Sequence, residues 1–402
     1  MPLSPPATAP APSIPAGRPP RGRWLAVASV TTGIFALVTV EILPIGLLPA
    51  IRDDFAVTDG TAGLTMTMPG LLAALAAPVV TTATARVDRR ALLGALMLLL
   101  AAANVLAAAA PAYWLVLVSR VAVGVAIGGF WPIAAGLAER LVPGESAGRA
   151  KAVVFSAVPL GSVLGVPLGT LVGDVAGWRT AFALLGALAV AAGAALLAVL
   201  PPLPPAEPLR PAVLSGLLRR PRVRLALVMT FLVVLAHFGA YTYVAPFLDE
   251  VTGAGPGLVT VFLLVYGAAG VGVNFAARAA AARAPRAAFA CAAGLIALAT
   301  LLLPWAGRWP GGAVVLLVVW GAAYGAVPVC SQTWFAGAAP GAPEAASVLF
   351  TASFQATISL GALAGGAVVD RASTAAVMSA GGLVAALAVP VACARPGAHR
   401  EG

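Results

Sequence analysis

Three ionisable residues stand inside long apolar runs: Glu41, Arg120 and His237. A charge held at the middle of a lipid bilayer costs about 2.5–3.5 kcal/mol on insertion scales, so it is retained where it faces a cavity or a partner. A continuous helix from Arg23 to Arg52 would run about 43 Å at about 1.5 Å per residue, and Glu41 falls about one turn past its midpoint. A carboxyl in such surroundings can take up and release a proton near neutral pH. Alternatively, Pro44 and Pro49 end the helix early and leave Glu41 at the surface. Arg120 keeps its charge and needs an anion, a carbonyl or water. Pairing with Glu41 in one conformation and not another would make proton affinity depend on conformation; a fixed structural ion pair is the other reading. His237 lies midway between Arg224 and Asp249, with Tyr241 one turn on. It could titrate near physiological pH, or stay neutral and tie two helices together.

Uncharged polar residues repeat the pattern. Asn104, Asn274, Gln332 and Gln355 sit within apolar runs, where such groups either read a solute's polarity or join helices. Trp131, Tyr241, Tyr243, Tyr266 and Tyr324 are candidates to line a cavity for flat or amphipathic molecules, or to act as packing and interface anchors. Enzymatic patterns are missing: there is no phosphate-binding loop, no HExxH, no CxxC and no Ser/His/Asp arrangement. Cys291, Cys330 and Cys393 have no paired spacing for disulfides or zinc. No cofactor and no metal are expected, and energy must come from a gradient.

The elements that position these residues follow from composition. Of 402 residues, 61% are hydrophobic and only 9% charged, against about 25% charged in a soluble domain. Lipid must therefore be the solvent for most of the chain. A span needs about 20 mostly apolar residues. Twelve are read, at 24–49, 61–84, 90–109, 113–137, 149–172, 179–200, 223–247, 257–280, 287–306, 311–335, 345–368 and 373–394. The expectation is an all-α membrane protein of two pseudo-symmetric six-helix halves, 23–200 and 223–394. They are joined by a cytoplasmic linker over 201–222 and flanked by a Pro/Ala/Ser-rich disordered tail at 1–22 and a short tail at 395–402. The N-terminal tail has no apolar core and does not read as a cleaved signal peptide.

The halves also look duplicated. Gly124 and Gly128 in span four match Gly321 and Gly325 in span ten. Gly161, Gly165 and Gly169 in span five, with Pro167 among them, match Gly361 and Gly365 in span eleven, each about 200 residues on. Small residues at this spacing let helix backbones approach closely, and repeated halves around a central site are a transporter architecture.

The formal charge of +10 does not indicate nucleic-acid binding, because the arginines sit in short loops rather than along one stripe. With the N-terminus inside, nearly all basic residues fall on the cytoplasmic face. Only Arg52, Arg179, Arg308 and Arg371 fall outside, among the acids Asp53, Asp54, Asp59, Asp174, Asp249, Glu250 and Asp370. The bias predicts both termini in the cytoplasm, with the chain in the cell membrane.

Local motifs carry a family resemblance from about Phe35 to Arg371. Thr39-x-Glu41-x-x-Pro44-x-Gly46-Leu47-Leu48-Pro49, Arg120-x-x-x-Gly124-x-x-x-Gly128, Gly161-x-x-x-Gly165-Val166-Pro167-Leu168-Gly169, Gly177-Trp178-Arg179 and the Tyr241–Leu248 stretch resemble the drug:proton antiporters of the major facilitator superfamily. The resemblance implies proton-coupled export of an organic small molecule, drug-like or metabolite, by rocking of the two halves. It links Arg120 with proton transfer and the span-five glycines with antiport. The partners implied are the substrate, protons and the bilayer, with the chain acting as a monomer. Export of a sugar or amino acid is the alternative; a non-transporting receptor or scaffold would have no reason to keep Glu41 and Arg120 in lipid. The loop after span two departs from the family pattern: Thr81, Ala85 and Asp88 replace its first Gly, its Asp and its second Gly, while Arg86, Arg89 and Arg90 remain. That puts in question the usual clasp from this cytoplasmic gate loop to its neighbouring helix.

Overall fold

The computed structural model describes residues 20–84, 86–142, 144–203, 211–339 and 343–393. Most of the tail read over 1–22, the tail 395–402 and the middle of the linker lie outside the described residues, as does the Asn274 side chain. Every described element is a helix, the outcome expected where lipid offers the backbone no hydrogen-bond partner. In order they are α1 (Pro20–Phe55), α2 (Asp59–Ala83), α3 (Arg89–Ala108), α4 (Tyr113–Leu141), α5 (Gly144–Ala176), α6 (Trp178–Val199), α7 (Pro211–Leu218), α8 (Pro221–Tyr241), α9 (Val244–Glu250), α10 (Pro256–Arg283), α11 (Pro285–Ala306), α12 (Pro310–Ala338), α13 (Pro343–Arg371) and α14 (Thr374–Cys393). Twelve segments among the described residues are long and apolar enough to cross a membrane.

Local chemistry sets many of the ends. Thr58 caps α2 by accepting from the Thr61 N–H, and Asp88 caps α3 by accepting from Arg90 and Ala91. Prolines open α8, α10, α11 and α12, where their missing N–H has no helical partner to lose. Gly177 turns the chain between α5 and α6 at φ +84°.

The seventh span departs from its sequence reading. It is not continuous over 223–247 but breaks at Thr242–Tyr243 into α8 and α9. Pro246 cannot donate to the carbonyl of Thr242, and the Tyr243 hydroxyl instead donates to the Ala362 carbonyl of α13 at 2.8 Å. The linker also holds more structure than expected: α7 docks Leu217 against Ala339, Ala345 and Ala346.

The helix pairings repeat. In the first six spans α1 lies along α5, α2 along α4 and α3 along α6. In the second six α8 lies along α13, α10 along α12 and α11 along α14. The duplicated glycines occupy the same seams. Gly124 and Gly128 face the α2 backbone at Pro69 and Ala73, while Gly321 and Gly325 face the α10 backbone at Tyr266 and Gly270. Gly161 and Gly165 face Val38 and Ile42 of α1; Gly361 and Gly365 face Leu235 and Gly239 of α8. The first half encloses one apolar core, and a second, centred on the other half, extends across to Ile42, Ile45, Leu48, Ala62, Met66 and Val166 of the first. The halves meet along two symmetric seams, α2 with α13 and α5 with α10.

Candidate functional site

Between the halves lies a cavity of about 540 Å³, lined by α1, α4, α5, α8, α10, α12 and α13. We call the end of the bundle where α1 starts proximal, and the other distal. The cavity runs from Glu41 and His237 at mid-depth toward the proximal ends of α12 and α13, where Thr333 and Phe350 line it. The distal end is latched. The Asp370 carboxylate of α13 accepts from the Thr58 hydroxyl at 2.9 Å and the Gly60 N–H at 2.8 Å. Arg52 lies 3.9 Å from Glu250 of the other half.

Arg120 is 0% exposed, and its partners follow from two prolines. Pro44 and Pro69 have no N–H, so the carbonyls four residues earlier, Val40 and Thr65, lose their helical donors. Arg120 supplies both: Nη2 donates to the Val40 carbonyl at 3.1 Å and Nε to the Thr65 carbonyl at 2.9 Å. Nη2 also donates to the Glu41 carbonyl at 3.1 Å. The ion pair expected with the Glu41 carboxylate is thus replaced by backbone contacts. The guanidinium pins the proline kinks of α1 and α2 and fixes where Glu41 projects.

The Glu41 carboxylate itself lines the cavity. It accepts a hydrogen bond from the Gln355 amide Nε2 at 2.8 Å, a contact across the two halves.

His237 is 0% exposed. Its Nδ1 accepts from the Trp320 indole N–H at 3.1 Å. An indole N–H only donates, so Nδ1 carries no proton and the imidazole hydrogen sits on Nε2, a buried atom without a partner among the described residues. Taking a further proton would require giving up the Trp320 bond. The ring is also stacked, 3.4 Å from Tyr324 and 5.0 Å from Tyr241, and Tyr241 continues the stack to Tyr266 at 4.6 Å. Trp320 stands edge-on to His237, Tyr241 and Tyr266.

Of the residues expected to face a cavity, Trp131, Tyr241, Tyr266, Tyr324, Gln332 and Gln355 line it. Two expectations are corrected. Asn104 is buried in the first-half core and donates to Leu100 one turn back. Tyr243 is held at the helix break by Ala362. In both, a backbone carbonyl takes the side-chain donor away from the cavity. In α5 it is Pro159, rather than Pro167, that borders the cavity.

The gate loop joins the start of the linker. Asp88 accepts from the Leu203 N–H at 2.9 Å, and the Arg89 N–H donates to the Leu203 carbonyl at 3.1 Å. Arg90 donates to the Leu197 carbonyl, while Arg86 is exposed. Trp320 and the Asp370 latch were not legible beforehand: a tryptophan in a span reads as packing, and an acid at a span end reads as solvated. No cluster of metal-ligating side chains occurs among the described residues.

Twelve spans in two matched sets of six around a central cavity define a membrane transporter rather than an enzyme. Residues 29–348 match the Major Facilitator Superfamily, and the chain belongs to that family. Among its relatives, the transcription regulatory protein OpdE of Pseudomonas aeruginosa is 35% identical over 87% of this chain and 88% of its own. The purine ribonucleoside efflux pump NepI of Salmonella paratyphi B is 31% identical over 92% of this chain and 94% of its own. The human organic anion transporter MFSD10 shares the fold at a TM-score of 0.69 and 18% identity, over 93% of this chain and 100% of that one. A bacterial homologue of the lysosomal transporter Spinster, inward-facing and occupied, does so at 0.72 and 16%, over 94% and 96%.

Proposed function

We propose that this chain exports a planar organic small molecule from the cytoplasm in exchange for protons, with Glu41 as the proton carrier. One observation carries the reading: a carboxylate at mid-membrane depth lines the cavity and is bonded across the two halves. The Trp320 bond leaves His237 poorly suited to the proton role, and Arg120 acts by positioning α1. The four-ring stack of Tyr324, His237, Tyr241 and Tyr266 suits a flat heterocycle, and the resemblance to a purine ribonucleoside efflux pump makes purine ribonucleosides the first substrates to try. The cavity is complete within one chain, so a monomer suffices. The excess of basic residues at the proximal end supports cytoplasmic termini in the cell membrane.

The test is uptake of radiolabelled purine ribonucleosides, and of a wider panel of planar solutes, into everted membrane vesicles. Uptake should depend on the proton gradient and collapse with a protonophore. Glu41→Gln should lose uphill uptake while keeping downhill exchange. Gradient-driven uptake that persists at wild-type level in Glu41→Gln refutes the proton role. A chain that moves no solute in the panel would favour the kind of role that the regulatory relative's name describes.

A further inference from the structure

Resting on the antiport reading, we propose that Gln355 is the positioning residue that ties the proton on Glu41 to the arrangement of the two halves. Glu41 belongs to α1 in the first half and Gln355 to α13 in the second. Their 2.8 Å bond is a mid-depth side-chain link between the halves; the Asp370 and Glu250 contacts lie at the distal end. Gln355 sits in the α2–α13 seam. A Cβ on Gly70 of α2 would fall 2.6 Å from the Gln355 carbonyl oxygen, and the same seam continues through Gly63, Tyr243 and Gly366 to the latch at Asp370. Opening the distal end must part this seam, and parting it draws Gln355 away from Glu41.

The Gln355 N–H bonds Glu41 Oε1 more strongly when the carboxyl is ionised than when it is protonated, so the bond favours release of the proton. With the distal end latched, as here, the amide stabilises the ionised carboxylate and the proton leaves to the cavity. With the distal end open, the amide is withdrawn, the charged form loses that support and the carboxylate takes a proton from the distal side. One proton enters and one leaves per cycle, in the direction that drives export. The other ionisable groups coupled to Glu41 are Arg120 of α4 and Tyr324 of α12. Arg120 is fixed on backbone carbonyls within the first half, so it moves with Glu41. Tyr324 is held against His237. Gln355 alone of these donates directly to the carboxylate from the other half. Glutamine suits the task because it is neutral, so its departure leaves no second unpaired charge in lipid.

The test uses everted vesicles carrying the full chain, with the pH of the cytoplasmic face varied at a constant pH gradient. The solute is one that the wild type transports. Gln355→Leu removes the donor at similar size. Loss of one bond to a charged group corresponds to about a ten- to hundredfold change in proton affinity, so the pH profile of uphill transport should move about one to two units toward alkaline pH. Gln355→Asn should move the profile less, and the rate of downhill exchange is read separately from the position of the profile. If Gln355→Leu does not reach the membrane, Gln355→Met replaces it. An unshifted profile overturns the proposal, and so does loss of exchange with an unshifted residual profile, which would make Gln355 a substrate contact. Failure of the antiport reading shows separately, as wild-type pH dependence in Glu41→Gln.

Discussion

Removing Arg120 should cost stability in a way that depends on two prolines four residues beyond its acceptors. Arg120 makes three hydrogen bonds to backbone carbonyls, at 2.9, 3.1 and 3.1 Å. Two of those carbonyls, Val40 and Thr65, lack a helical donor because Pro44 and Pro69 stand four residues on. Hydrogen bonds between membrane helices contribute about 0.6–2 kcal/mol each, so Arg120→Ala should destabilise the folded chain by about 2–6 kcal/mol. In a Pro44→Ala, Pro69→Ala background the restored N–H groups can serve both carbonyls. The cost of Arg120→Ala should then fall by at least about 1 kcal/mol, the coupling expected of residues that share a partner. Unfolding of purified protein in detergent, followed by denaturant titration of all four chains in the double-mutant cycle, measures this directly. Strictly additive losses would show that Arg120 does not replace the proline-deleted donors. Its role would then have to lie in the charge alone, and Arg120→Lys should be tolerated.

Asp370→Asn removes the charge that two donors at the start of α2 hold, so spin labels placed across the distal seam should report a larger open fraction; an unchanged distance distribution would mean the seam is held by packing. Gly325→Leu should abolish transport and lower stability more than Gly165→Leu, because a side chain at 325 meets the Gly270 backbone whereas one at 165 first meets the movable Ile42 side chain, 3.2 Å from an added Cβ; equal effects in transport and unfolding assays would contradict this difference. A reporter active only outside the cell should be silent when fused after Arg400 and active after Asp249, and the reverse pattern would overturn the orientation.

Much of the architecture was legible in the residues because lipid imposes simple constraints. An apolar run of sufficient length has to be a helix, so twelve spans, their order and the matched glycines in spans four, five, ten and eleven could be read directly. Glu41, Arg120 and His237 stood out because charge and titratable groups in lipid demand a partner. Their partners were decided by three-dimensional packing. Sequence spacing placed Arg120 and Glu41 at similar depth and so suggested a carboxylate pair, but it could not show that two kinked helices present bare carbonyls to one guanidinium. At the break over Thr242–Tyr243, the Tyr243 hydroxyl reaches a carbonyl of α13, far along the chain. The Glu41–Gln355 bond likewise joins residues from opposite halves. Periodicity and hydropathy act within one helix and settle what that helix is. Which polar atoms meet between helices depends on rotation, kink and depth, and only the packed bundle sets those.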